Sequence, residues 1–301
     1  MEQVNEMKMD LHNRSFNGDS KNKRITGIIT AGIVRAFLLL WTLTVLYPLF
    51  WTLYSSLKDN KAFYKSPWAL PEIFHFENYY NAFITSSFGK YFLNSLFVVV
   101  AALVLNLLVS SMAAYVLSKF KFFGSRIILL FFLSGTMVPT LVTLIPLFFF
   151  SQSLRLTEKL GGLVIIYVFT NIPFSIFLIC GFMKRIPNAF SEAAFMDGCS
   201  YYAIFFRIML PLAKPGLIIA GILNLLNFWN EYLIALTFIT NPDKYTVPVG
   251  ISMLSGTMQY RTDFGALFAG LIIGMLPMII VYGIFQRQLQ EGMAAGSGVK
   301  G

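Results

Sequence analysis

The sequence predicts an all-α integral membrane protein with six transmembrane helices, both termini cytoplasmic, and a compact cytoplasmic loop between helices four and five. Three observations predict it. Of 301 residues, 56% are hydrophobic and only 12% charged, against about 25% charged in an ordinary soluble domain. The apolar residues gather into six blocks, each long enough to cross a hydrocarbon core of roughly 30 Å as a helix. One stretch between two of these blocks, EAAFMDGCSYYAIFFRIMLP (192–211), is too polar and too turn-rich to be part of a span.

From the N-terminus, residues 1–34 are expected to form a flexible cytoplasmic tail, polar through KNKR at 21–24. The tail has no apolar core followed by a small-residue cleavage site, so it does not read as a signal peptide. The membrane domain is expected over residues 35–301. Its six blocks are 36–54, 93–117, 127–150, 163–182, 217–239 and 264–285. Backbone amides in lipid must be bonded within their own segment, and the short alternating strands of a barrel are missing from the pattern, so the blocks read as helices. Trp41, Tyr47, Trp51, Tyr54 and Trp68 flank the first block as an interfacial aromatic belt.

Orientation follows from the basic residues. Most of the 23 lysines and arginines fall on the side that holds both termini and the 192–211 segment, while the first opposite loop carries Lys58, Lys61, Lys65 and Lys90. The positive-inside rule places the richer side in the cytoplasm. The net charge of +9 is therefore a topology signal. No basic run interleaved with aromatics supports nucleic-acid binding.

Prolines 139 and 146 interrupt the third block, Pro173 the fourth and Pro277 the sixth. Each removes an amide donor and kinks a helix; together they fit either tolerated kinks or spans bent around a substrate path. In the fifth block, Asn224, Asn227, Asn230 and Glu231 fall within one helical arc of roughly 120°. Amides and a carboxylate are costly against hydrocarbon, so this stripe should face the bundle interior or a wet path. Interhelical hydrogen bonding is the alternative.

Several chemistries find no support. The sequence lacks a phosphate-cradling GxxxxGK[ST], HExxH or GxSxG motif, and His12 and His75 lie outside the spans. Cys180 and Cys199 show no metal or disulfide spacing. Catalytic residues, metal ligands and a cofactor of its own are not expected in this chain. Glu231 is the one ionisable residue well inside a span, whereas proton-coupled carriers usually keep several. An ion- or proton-coupled secondary carrier is the second reading, and a membrane enzyme a distant third.

The 192–211 segment then needs a purpose. Pro187, Asn188 and Ser191 offer helix-start chemistry, with Glu192 in the first turn. Gly198 can adopt positive φ and stop that helix after about two turns. Ser200 can cap a second piece over 201–209, which Pro211 and Pro215 should end. A two-turn helix is marginal alone. It is either an elbow packed on its own bundle or a docking knob for a cytoplasmic partner.

The stretch EAAFMDGCSYYAIFFRIMLPLAKPG resembles the EAA loop of ATP-binding-cassette importer permeases. FENYYNAF, FLNSLFVVV, MVPTLVTLIPLF, FWNEYLIALTFI and the terminal GSGVKG resemble blocks of the carbohydrate-uptake branch, in order, and specifically its maltose-type second permease subunit. The likeness runs from about Arg35 to Gly301. Cys199 and Gly298 stand where alanine is usual, and both replacements are small.

The resemblance implies a non-catalytic permease subunit of a sugar or oligosaccharide importer in a bacterial cytoplasmic membrane. It implies a second homologous permease, two ATPase subunits that hold ATP and Mg, and an extracytoplasmic solute-binding protein. It makes Glu192, Ala193, Ala194, Asp197 and Gly198 the ATPase-coupling element, ended by Leu210 and Pro211. The loop over 241–263 would meet the binding protein.

Overall fold

The computed structural model describes residues 2–257 and 263–296, with side chains described over 29–255 and 263–290. The described residues are helical and loop, with no strand. The chain divides into two compact units, residues 1–55 and 56–301.

Unit one is a single helix, α1 (Glu2–Ser55), whose segment Ile29–Ser55 is long and apolar enough to span. The helix begins at Glu2; no proline occurs in it before Pro48, and the Glu, Lys, Met and Leu residues of its sequence favour helix. Within the span, Thr42, Thr44 and Thr52 donate their hydroxyls to carbonyls four residues back, at 2.8, 2.9 and 2.8 Å. Such back-bonding satisfies these three hydroxyls within the helix itself, as an apolar setting requires.

Unit two begins with the short α2 (Asn60–Lys65), capped by the Asp59 carboxylate. Its spans are α3 (Phe88–Lys119), the bent pair α4 (Ser125–Thr136) and α5 (Thr140–Ser153), and then α6 (Leu160–Arg185). The coupling segment follows as α7 (Ala189–Met196) and α8 (Tyr201–Leu212). Then come α9 (Lys214–Asn230), α10 (Leu233–Phe238), α11 (Val247–Thr257) and α12 (Phe264–Gly296).

Two blocks differ from straight spans. The third bends by 103° between Thr136 and Thr140. Pro139 stands at the break: it sits extended at φ −64°, ψ 135° as the residue before α5, and having no N–H it cannot continue the hydrogen-bond ladder of α4. The fifth block breaks at Glu231, whose ψ of 122° leaves the helix. By contrast Pro146, Pro173 and Pro277 stay inside α5, α6 and α12.

Packing centres on α3 against α6, joined by α9. Bundles in lipid gain little from the hydrophobic effect, so small and polar side chains fill their seams. Accordingly Asn106, Ser110, Ser111, Ser175 and Asn224 are all buried. Ser175 Oγ donates to Asn106 Oδ1 at 2.6 Å, and Asn224 Nδ2 donates to Ser175 Oγ and Asn106 Oδ1 at 2.7 and 3.2 Å. Asn106 Nδ2 donates to the Val168 carbonyl at 3.1 Å. Three helices are thereby pinned at one polar hub.

Candidate functional site

The coupling segment is built as two short helices around a glycine stop. The α7 helix ends in a Schellman turn: Cys199 N–H reaches the Ala194 carbonyl and Gly198 N–H the Phe195 carbonyl, both at 3.0 Å. Gly198 takes the left-handed φ of +83° that this turn requires. Ser200 Oγ then caps α8 by accepting from Ala203 N–H at 3.3 Å.

Two expectations for this segment are corrected. Asn188 does not cap α7 with its side chain; its Oδ1 accepts from Lys119 Nζ at 3.2 Å, and the same ammonium also binds the Ile186 carbonyl. Nor does Pro211 end α8. The chain widens to a π-turn over Phe205–Met209 and passes through Pro211 to Leu212, turning by 74° only at Ala213. Proline is tolerated there because it falls in the first turn of the α-helical piece after the π-turn. Pro215 likewise opens α9 rather than blocking it.

The two alanines have opposite surroundings. Ala194 is buried in a cluster with Tyr115, Met183, Ile204 and Met209, so it seats α7 on the bundle. Glu192, Ala193, Asp197 and Gly198 are exposed. Phe195 and Met196 join them, Met196 at 85% exposure. A chain of rings, Tyr115, Phe120, Tyr201 and Phe195, ties the segment to the end of α3 with centroid spacings of 5.4, 5.5 and 5.6 Å. A cavity of about 330 Å³ between them is lined by Lys119, Asn188 and Glu192 among others. The result is a rigidly seated knob whose acidic and small residues face outward.

The stripe on the fifth block separates into three environments. Asn224 is an interhelical bond, as above. Asn227 and Asn230 are exposed; Asn227 Nδ2 donates to Asn171 Oδ1 at 3.2 Å and Asn230 Nδ2 to its own Leu226 carbonyl at 2.8 Å. Glu231 does not continue the helical arc. Its carboxylate caps α10, accepting from Ile234 N–H at 2.8 Å and Ala235 N–H at 3.0 Å, and it accepts the Tyr167 hydroxyl at 2.8 Å. The capture of those two amides is what breaks the span, with no proline involved.

The opposite ends of the spans are tied around the turn 240–245. Glu158 accepts Thr240 N–H at 2.9 Å, Thr240 Oγ1 at 2.6 Å and Asn241 N–H at 3.3 Å. Burial raises the Glu158 pKa, but these bonds and the nearby Lys244 outweigh it and hold the carboxyl below the ordinary glutamate value. Lys90 pairs with Asp243 at 2.7 Å, and Asn94 Nδ2 donates to the carbonyls of Asp243 and Tyr245 at 3.0 Å each. The loop expected over 241–263 is therefore anchored at its start; residues 258–262 lie outside the described residues, as does the tail after Gly296.

Sequence reasoning missed Asn106, Asn171, Ser175 and Glu158. The first three carried a signal, since polar side chains inside apolar blocks mark either seams or paths. Glu158 carried none, because its partners lie some eighty residues away in sequence.

Residues 106–295 match the family described as the binding-protein-dependent transport system inner membrane component. The diacetylchitobiose uptake system permease protein NgcG of Streptomyces coelicolor is 38% identical over 267 residues, 89% of this chain and 88% of that protein. The arabinooligosaccharides transport system permease protein AraQ of Bacillus subtilis is 34% identical, covering 88% of this chain and 94% of its own length. A crystal structure of a bacterial transporter involved in import of the acidic polysaccharide alginate superimposes with a TM-score of 0.76 at 25% identity. It covers 88% of this chain and 96% of the other. The order of the helices, the glycine-stopped knob between α6 and α9 and these likenesses lead to one conclusion: this multi-pass chain of the cytoplasmic membrane belongs to the binding-protein-dependent transport system inner membrane components, the permeases of ATP-binding-cassette importers.

Proposed function

We propose that this chain is the non-catalytic permease subunit of a sugar or oligosaccharide importer, working with a second permease, two ATPase subunits that carry ATP and Mg, and a solute-binding protein. The observation that carries the coupling role is the α7 knob. Ala194 and the ring chain fix it to the bundle, while Glu192, Ala193, Asp197 and Gly198 stand exposed. A partner that grips this face moves α6 and α9 directly, because the knob is their connector. The saccharide class comes from the relatives named for diacetylchitobiose and arabinooligosaccharide uptake. The ion-coupled carrier reading loses its one intramembrane candidate, since Glu231 is engaged as a helix cap.

In this proposal both termini and α7 face the cytoplasm and the turn 240–245 faces outward, where it contributes to the surface that meets the binding protein. Exposed Asn227 and Asn230 border the substrate path; Asn224 and Glu231 hold the walls in place. Glu192→Lys is the direct test. The variant should insert normally, fail to copurify its ATPase and lose uptake; normal copurification and uptake would remove Glu192 from the coupling role. Single cysteines at Asn60 and Pro242 should label from outside intact cells and one at Ser191 only after permeabilisation. External labelling at Ser191 would invert the topology.

A further inference from the structure

The loop after the first span keeps Lys58, Lys61, Lys65 and Lys90 on the side poorer in basic residues. Two of the four have evident structural work. Lys90 pairs with Asp243, and Lys58, buried, donates to the Ser66 and Pro67 carbonyls at 3.2 and 3.0 Å. Lys61 and Lys65 are exposed, and neither has an ion-pair partner among the described residues. They stand four apart on α2 and so share one face.

The loop is closed by its own hydrogen bonds and seated on a span. Asn78 Nδ2 donates to the Ser56 and Lys58 carbonyls at 2.9 and 2.8 Å, and His75 N–H to the Leu57 carbonyl at 2.9 Å. Asn60 Oδ1 accepts Phe264 N–H at 2.9 Å. The Phe63 ring lies 4.4 Å from Phe264 and 5.3 Å from Phe268, and Phe268 is about 6 Å along α12 from its start. The segment therefore lies beside the end of a membrane span, at the level of the lipid headgroups.

Its outer surface suits that level. Tyr64, Trp68, Leu70, Ile73, Phe74 and Phe76 are each 59–73% exposed, a patch that water alone covers poorly. A cavity of about 320 Å³ is lined by Lys61, Lys65, Leu70 and Ile73 among others. Of the two carboxylates in that lining, Asp59 and Glu72, the first accepts Ala62 N–H at 2.8 Å.

We propose that α2 and residues 66–76 form an interfacial anchor that holds an anionic phospholipid, its phosphate at Lys61 and Lys65 and its acyl chains against Trp68, Phe74 and Phe76. Tryptophan and tyrosine favour the headgroup level. Lysine lays its apolar stem on such a surface and offers its ammonium to phosphate. A zwitterionic headgroup brings its own cation and weakens that attraction; an anionic one does not. A soluble partner would dock beyond the span ends, whereas this patch flanks one.

The test takes the purified chain with its copurifying subunits in detergent micelles. Phosphatidylglycerol or phosphatidylcholine, brominated near the headgroup end of the acyl chains, is titrated in, since bromine quenches a neighbouring indole. The Trp68 signal is the difference between wild type and Trp68→Phe. Half-quenching is expected at about fivefold less phosphatidylglycerol than phosphatidylcholine. Lys61→Gln and Lys65→Gln together should erase that preference with the subunit complement unchanged, and each alone should leave an intermediate one. Equal quenching by the two lipids, or a preference that survives in the double variant, overturns the anchor. Quenching by neither lipid means that protein covers the face, and quenching that vanishes on adding the solute-binding protein gives the face to that protein; both results overturn it.

Discussion

The two polar connectors of this chain treat their charges in opposite ways. In the turn 240–245, Glu158, Lys90 and Lys244 are engaged with other segments of the same chain: the carboxylate takes three donors, Lys90 pairs with Asp243, and Lys244 Nζ reaches the Glu158 carbonyl oxygen at 2.6 Å. In the coupling knob, Glu192 and Asp197 are exposed and their carboxylates have no partner among the described residues. The turn is complete before any partner arrives. The knob has a finished backbone and an unfinished surface. Self-satisfied loops make rigid platforms, whereas exposed charge beside apolar side chains such as Phe195 and Met196 marks a surface that gains by being covered.

The largest expected effect breaks the knob. Gly198→Pro cannot reach a φ of +83°, because proline is held near −65°, and it removes the N–H that bonds Phe195. The α7 stop should be lost, uptake should fall more than tenfold, and the spans should remain inserted. Retained uptake with a normal ATPase complement would show that the knob tolerates another shape. The outcome is read by uptake together with subunit stoichiometry after purification.

A smaller effect is expected from the turn. Glu158→Ala deletes the acceptor of three hydrogen bonds and leaves the Thr240 and Asn241 amides to find water. At roughly 1 kcal/mol per lost bond, reduced by the residue's partial exposure, the cost is about 1–2 kcal/mol. It should appear as a lower unfolding midpoint in detergent with the ATPase still bound. Loss of the ATPase instead would mean that the two connectors are not independent.

The smallest effect sharpens the comparison through pH. The Glu158 pKa is depressed on folding, so its contribution is fully present above the unfolded glutamate value of about 4.3 and is lost as pH falls through the lower folded value. Between pH 5 and 8 the wild type and Glu158→Gln should therefore differ by a constant amount, and the gap should close only below about pH 4. A gap that closed near neutrality would require a different titrating group. Asp243 follows the same sign, since the Lys90 hydrogen bond holds its pKa below the ordinary aspartate value.

Legibility in the sequence followed the range of the interactions. The glycine stop at Gly198 and the Ser200 cap were readable because helix caps join residues three to five apart. The role of Asn188 was not, because its partner Lys119 comes from another helix. Pro211 and Pro139 make the same point with one residue type. Both lack an amide N–H, yet one lies inside a helix that a π-turn adjusts and the other sits at a bend of 103°.

By itself the sequence determined that the chain is a bundle of membrane helices, where its spans lie, and that a two-turn helix interrupts them. Those features depend on hydrophobic length and on local backbone chemistry, which act within a few residues. Tertiary structure alone decided what each member of the 224–231 stripe does. Asn224 is buried between three helices, Glu231 leaves the arc to cap α10, and only Asn227 and Asn230 remain exposed. Helical periodicity fixes which side chains share a face, but the donors that a face will meet belong to helices distant in sequence, and the cost of leaving a polar group unpaired then sorts them into seam, cap and open wall.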